Sequence, residues 1–398
     1  MKCYKKDGTV EGYLMLIVVA CIPFSNFTLL GRSLFFHIFI VWMLFISLRV
    51  IPIKSKYPVE LWILLTMLIY KLITGIWSID INATVESVLL TSLPIFILTI
   101  LLFNSIKDYN ALILIFKTYV FSCLLIGILL IYNYYNIDDA SVLNLDTVRI
   151  SVFNSNQNEL AVMLMYGFIM SFYLLKFVGF NKYMYGSILL ILGFSILLTG
   201  SRTGFLSLIM TVLFIIFLSK KKFFWILVKG SLILFILYIS IEILPKELTD
   251  RSLGLLEIVG DDSHDFHREG YRGWIWIQGL NAFINTNILS IMFGTGYESY
   301  GSLMYENTGI RVSHHNTFLG YLVELGFFGL FIYLFLFGLL AKRILILVKN
   351  HSSFYGIFYI PIVLFLLTQG LDQKFLFYFI IIVLIKLSVF HSLRDKLR

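Results

Sequence analysis

Apolar residues in this chain fall into long runs separated by short polar turns. The runs have the length, about 17 to 25 residues, that a helix needs to cross the hydrocarbon of a bilayer. Twelve are legible, at about 11–30, 33–52, 58–78, 84–104, 111–133, 158–178, 183–199, 203–219, 223–244, 316–341, 353–371 and 375–392. The first two meet at a tight turn around Gly31 and Arg32. No repeat of fixed period appears, and no Gly/Ser-rich or Pro-rich linker sets off a soluble part. The pattern therefore predicts one integral membrane domain over 1–398. Two connections are long: a first loop at 134–157 and a large loop at 245–315.

Composition agrees with the pattern. Of 398 residues, 59% are hydrophobic and 14% charged, with a mean hydropathy of +0.90. A water-soluble core of this size has no use for so much apolar surface. The expected fold class is all-α, a polytopic membrane protein of about 12 transmembrane helices with a large extracytoplasmic loop. The net charge of +8 would suit nucleic acid. The cations are scattered between apolar runs, however, where they serve as a topology signal, so membrane lipids are expected as partners and nucleic acid is not. Cys3, Cys21 and Cys123 form neither a disulfide framework nor a zinc spacing. The first run has no small-residue cleavage motif and leads directly into a second, so no cleavable signal is expected.

Charge then sets the sides. With both termini cytoplasmic, the inner turns hold 18 cations, 14 of them Lys, including Lys220, Lys221, Lys222, Lys342, Arg343 and Lys349. The outer side holds nine, seven of them Arg: Arg32, Arg149, Arg202, Arg251, Arg268, Arg272 and Arg311. The inverted topology would reverse the positive-inside bias. A guanidinium is a planar fork of donors suited to phosphate and carboxylate oxygens, whereas an ammonium is a point charge. The outer Arg excess thus marks the face where an anionic ligand is expected, although acids and lipid headgroups also attract such residues.

Five stretches carry candidate chemistry. In "LLTGSRTGFL", Gly200 and Gly204 bracket Ser201, Arg202 and Thr203 between two spans, and an Arg at that depth is costly unless it is paired. In "DTVRISVFNSNQNEL", Arg149 precedes Asn154, Asn156, Gln157 and Asn158. Such amides suit sugar hydroxyls and equally suit helix caps. In "REGYRGWIWIQGLNAFIN", Gln278, Asn281 and Asn285 fall at helical spacing, with Trp274, Trp276, Leu280 and Phe283 around them. That pattern predicts an interfacial helix with Trp at headgroup depth, Arg272 standing one turn before Trp276. The Gly294–Gly296 pair lacks the preceding strand of a phosphate loop. The stretch "GDDSHDFHRE" holds Asp261, Asp262, His264, Asp265 and His267, at no standard metal spacing, and a solvated loop tip explains it as well. Last, His314, His315 and Asn316 end the large loop as the tenth run begins. A neutral imidazole there is placed to take a proton from a hydroxyl, and a cap or headgroup ligand would look the same.

Together these pieces resemble the integral-membrane O-antigen ligases and O-antigen/capsule polymerases of bacteria. The resemblance rests on Ser201-Arg202-Thr203-Gly204 opening a span, and on Arg272 with Trp276 four residues on, followed by a G-x-G. It rests most specifically on His315-Asn316, then nine residues, Gly326, two residues, and Gly329. Arg149 ahead of the Asn-rich start of a span is similar too, but the usual Asn-Pro-Asn is absent, and Thr203 stands where Gly or Ala is more frequent. The resemblance covers about 145–340.

It implies a membrane glycosyltransferase. A polyprenyl-diphosphate-linked glycan would be the donor, and another lipid-linked glycan or a lipopolysaccharide core the acceptor. The active site would lie on the extracytoplasmic side of the bacterial inner membrane. His315, Arg202 and Arg272 would be catalytic, and Arg149, Asn154, Asn156, Asn158, Arg268, Arg311 and Asn316 would bind substrate. No cofactor and no metal are implied, and transfer in one displacement would invert the anomeric configuration. A polymerase is the reading preferred here, with a ligase as the alternative. From another class, a lipid-linked sugar flippase would carry its charges along a central path, whereas the Arg and His candidates here gather at one face.

Overall fold

The computed structural model describes residues 10–24, 28–29, 32–33, 57–136, 152, 156–179, 181–217, 272–350, 352–368 and 374–396. Among these residues the chain is helical, apart from one antiparallel pairing of Thr28 with Ser33 and Leu29 with Arg32. That pairing flanks the tight turn expected between the first two runs.

Among the described residues, six helical segments are long and apolar enough to cross a membrane: Val59–Ile76, Ile81–Ser105, Tyr109–Tyr135, Gln157–Val178, Thr317–Asn350 and Phe375–Ser392. Four shorter apolar helices accompany them, Gly12–Phe24, Lys182–Leu198, Arg202–Ile216 and Phe354–Thr368. The described part of the chain is thus helical in architecture, that of a multi-pass membrane protein. The runs expected at 33–52 and 223–244 lie outside the described residues, as does most of the loop at 134–157.

The chain divides into two compact units, 1–54 with 101–252, and 55–100 with 253–398. The first contains α1 (Val10–Cys21), α2 (Tyr109–Tyr135), α3 (Gln157–Tyr173), α4 (Lys182–Leu198) and α5 (Arg202–Phe217). At its centre α3 is buried almost throughout its length. Neighbours reach it closely because small residues face them. A Cβ at Gly167 would stand 2.7 Å from Cys123 of α2, and one at Gly204 would stand 2.7 Å from Ala161. Such contacts replace the hydrophobic drive that lipid cannot supply between helices.

The second unit contains α6 (Val59–Ile73), α7 (Ile81–Ser87), α8 (Arg272–Ile284), α9 (Ile288–Phe293), α10 (Tyr300–Thr308), α11 (Thr317–Asn350), α12 (Tyr359–Thr368) and α13 (Phe375–Lys396). Helix α6 runs antiparallel to α11: Tyr70 Oη donates to Leu325 O at 3.1 Å near one end. At the other end Arg343 binds the buried Glu60 carboxylate through two nitrogens. An ion pair this sheltered is a strong tie only because both its members are present.

Helix α11 is not a single rod. Its 34 residues would span about 51 Å, more than the hydrocarbon is thick. Helical geometry breaks at Gly326, with φ 68 and ψ −173, a backbone region open essentially to glycine alone. The break leaves carbonyls of the preceding turn without helical partners. The segment Gly294–Gly296 satisfies them: Thr295 N donates to Val323 O and Gly296 N to Glu324 O, each at 3.0 Å. A Cβ on Gly326 would lie 2.5 Å from Gly294 N, and one on Gly294 would lie 2.1 Å from Glu324 O. The Gly-Thr-Gly segment is therefore a backbone plug for a broken helix, in keeping with the absence of a phosphate-loop context.

Candidate functional site

Helices α8, α10 and the first turns of α11 share one apolar core, built on Trp274, Ile275, Phe283, Tyr300, Leu303 and Val323. Tyr300 locks α10 to α8 by donating its hydroxyl to Ile275 O at 2.7 Å. Burial pushes that phenol well above its ordinary pKa, so it remains a neutral donor. Over this core runs the end of the large loop, which delivers the histidines.

Each residue there has a defined place. Trp276, one turn after Arg272 on α8, donates its indole N–H to His314 O at 3.0 Å. The His314 ring is buried, packs on Gly320 and meets Tyr300 edge-on. Its Nδ1 accepts from Asn316 N at 3.2 Å. Asn316 caps α11, its Oδ1 accepting from Leu319 N at 3.1 Å. Between these two anchored residues His315 takes a left-handed backbone, φ 46. A side chain there costs about 1–2 kcal/mol unless its surroundings impose it. The His315 Nε2 lies 3.1 Å from Ser313 Oγ. Its pKa is held below 6.5, first by burial and then by the charge of Arg272. A neutral imidazole, partly withdrawn from water and beside a guanidinium, suits proton abstraction next to an anionic leaving group.

Arg311 is engaged elsewhere. Its Nη2 meets Asp80 Oδ2 at 3.2 Å, and Ser302 Oγ donates to the same oxygen at 2.8 Å. Asp80 also caps α7 by accepting from Ala83 N at 3.0 Å. That backbone bond, followed by Ser302 and then Arg311, holds its carboxyl below the usual range. The Asp80–Arg311 tie joins the turn before α7 to the loop ahead of the histidines. Nothing in the sequence around Asp80, which stands in a short turn between two apolar runs without a cation nearby, marks it for this role.

In the first unit Arg202 opens α5. The turn before it is set by Gly200, φ 60, and by Ser201. Ser201 Oγ accepts from Gly204 N at 3.2 Å and donates to Asn158 Oδ1 at 2.7 Å. Asn158 thus ties the start of α3 to the turn that presents Arg202. Asn156 is the cap of α3, its Oδ1 accepting from Asn158 N at 2.9 Å. Asn156 thus displays the helix-cap role weighed for these amides, and Asn158 an interhelical one.

The structure brings Arg272, Arg311, His314, His315 and Asn316 together in one unit, and Asn156, Asn158 and Arg202 together in the other. Arg149, Asn154, Arg268 and the acidic stretch with Asp261, Asp262 and Asp265 lie outside the described residues. Two residues acquire roles the sequence did not suggest. Trp276, expected at headgroup depth, spends its indole N–H on the histidine loop. His314, which the motif spacing does not use, is the more deeply anchored of the pair.

No curated protein matches the chain. Residues 187–334 match the family model described as O-antigen ligase. The matched stretch contains Arg202, Arg272, Trp276, His315, Asn316, Gly326 and Gly329, and it ends before α11 does. With the site assembled around those residues, that match supports the O-antigen ligase and polymerase family as the family of this chain.

Proposed function

We propose that the chain is a surface-polysaccharide polymerase with twelve spanning helices, joining polyprenyl-diphosphate-linked repeat units at the outer face of a bacterial inner membrane. The observation that carries this reading is His315, held in a left-handed turn with its imidazole kept neutral by burial and by Arg272. In the reaction an acceptor sugar hydroxyl gives its proton to His315 as its oxygen bonds to the donor's anomeric carbon. The bond from that carbon to the lipid diphosphate breaks, and the configuration inverts. Positioned base catalysis contributes about 10²–10⁴ in rate. Arg272 stabilises charge on the departing diphosphate, and the motif resemblance assigns Arg202 the same class of ligand. Charged hydrogen bonds of this kind contribute about 1.5–3 kcal/mol each. Arg149 and Arg268 remain candidate diphosphate ligands, with Asn154 a candidate for sugar hydroxyls. These roles require no metal or cofactor.

A second reading, transfer of the finished glycan to a lipopolysaccharide core, is favoured by the description of the matching family as O-antigen ligase. The match lends no support to the flippase alternative. Surface glycan from a strain deleted for this chain separates them. Single repeat units are expected for a polymerase, and full-length chains left on carrier lipid would establish the ligase instead. Unaltered surface glycan would sink both.

A further inference from the structure

His315 is anchored by its neighbours rather than by its own side chain alone. On one side Asn316 is fixed as the cap of α11. On the other, His314 is 8% exposed, its carbonyl held by Trp276 and its ring seated on Gly320. What joins the two sides is the contact from Asn316 N to His314 Nδ1, 3.2 Å, which spans His315. A side-chain acceptor taking the N–H two residues on is the geometry of an Asx turn, with an imidazole nitrogen in place of the Asn or Asp oxygen. The contact has two chemical consequences. The Nδ1 lone pair of His314 is committed to a backbone N–H, so the ring's proton sits on Nε2. The turn it closes is also the one in which His315 adopts φ 46.

We infer that His314 is a positioning residue, whose Nδ1 closes the turn over His315 and thereby aims the His315 imidazole at the acceptor hydroxyl. The inference rests on His315 acting as the base. It explains why two adjacent histidines stand at this helix start: one closes the turn and the other works in it. The reverse assignment is disfavoured, because the His314 nitrogen that faces the turn is already used.

Substitutions at 314 discriminate by atom position. The Asn Oδ1 falls where His Nδ1 does, whereas the Gln oxygen lies one bond farther out and Leu offers no acceptor. The assay uses purified protein with lipid extract from a source strain deleted for this chain, which supplies the host's own donor and acceptor. Turnover and the half-saturating extract concentration are measured separately. His314→Asn should stay within about threefold of wild type. His314→Leu and His314→Gln should lose turnover by about 10²-fold, as expected for misplacement of a catalytic group by about 1 Å, with half-saturation unchanged. Should the Leu variant fail to accumulate in the membrane, the Asn and Gln variants decide. Equal loss in the Asn and Gln variants, or wild-type turnover in the Leu or Gln variant, would overturn the inference. His315→Ala in the same assay tests the underlying reading: full turnover there removes the base itself, whereas an inactive His315→Ala beside an active His314→Leu removes only the role given to His314.

Discussion

At the scale of single residues, the account turns on what surrounds His315. Burial and then Arg272 disfavour the imidazolium, so its pKa lies below 6.5. A base must be neutral, so the rate should hold steady through neutral pH and fall only as the pH drops through that lowered value. The pH profile of turnover over half-saturation should accordingly show an acidic limb below 6.5. In Arg272→Gln the residual activity should show that limb at higher pH, because a cation that disfavours protonation has gone; an unmoved limb would mean that Arg272 does not act on His315. Arg202→Lys should lose most activity while still accumulating in the membrane, since an ammonium lacks the planar donor pair; near-normal turnover would leave Arg202 a headgroup anchor. Arg311→Ala should change activity by less than about fivefold, the scale of an exposed ion pair worth roughly 0.2–1 kcal/mol, because its charge is spent on Asp80. A loss of 10²-fold would restore it as a substrate ligand. Sequence alone singled out His315, Arg202 and Arg272, because their spacing to glycines and Trp is local. It could not see that Asp80 engages Arg311, since nothing local connects residues so far apart in the chain.

At the scale of elements, the glycine spacing after His315-Asn316 acquires a physical meaning. Gly326 breaks α11, and the segment around Gly294 fills the break so closely that neither position admits a Cβ. Tyr70 of α6 secures the junction by bonding both Phe293 O and Leu325 O. Gly326→Ala is therefore expected to abolish accumulation of folded protein, the backbone alone costing on the order of 1–3 kcal/mol before any clash. Tyr70→Phe should lower the thermal midpoint of the purified protein by a few degrees, as loss of about 1 kcal/mol would. Wild-type stability in Gly326→Ala would refute the plugged break. The hydrophobic runs were legible because apolar length is a local property: the helices Tyr109–Tyr135 and Lys182–Leu198 begin and end within a few residues of the runs read there. The break was not legible, because Phe327 and Phe328 keep the run apolar straight through it. Its cause lies some thirty residues upstream in the loop.

At the scale of the whole molecule, sidedness carries the proposal. The histidine loop and the Asp80 turn lie at one end of the second unit, and Arg343 with Glu60 at the other. In a variant without native thiols, a cysteine at the exposed Glu306 should react with an impermeant reagent in intact cells, whereas one at Asn350 should react only after membrane disruption. The opposite result would place the site on the cytoplasmic face. The Lys and Arg distribution is what predicts this orientation from sequence; nothing comparable predicts the acceptor, since a sugar hydroxyl looks the same to a base whichever molecule bears it. The most direct test of the central claim is transfer by the purified protein, in the presence of a chelator, acting on lipid extract from the deletion strain. The account predicts glycan transfer by the wild type and none by His315→Ala, with donor binding retained. Transfer at the wild-type rate by His315→Ala, or transfer that chelation abolishes, would contradict it.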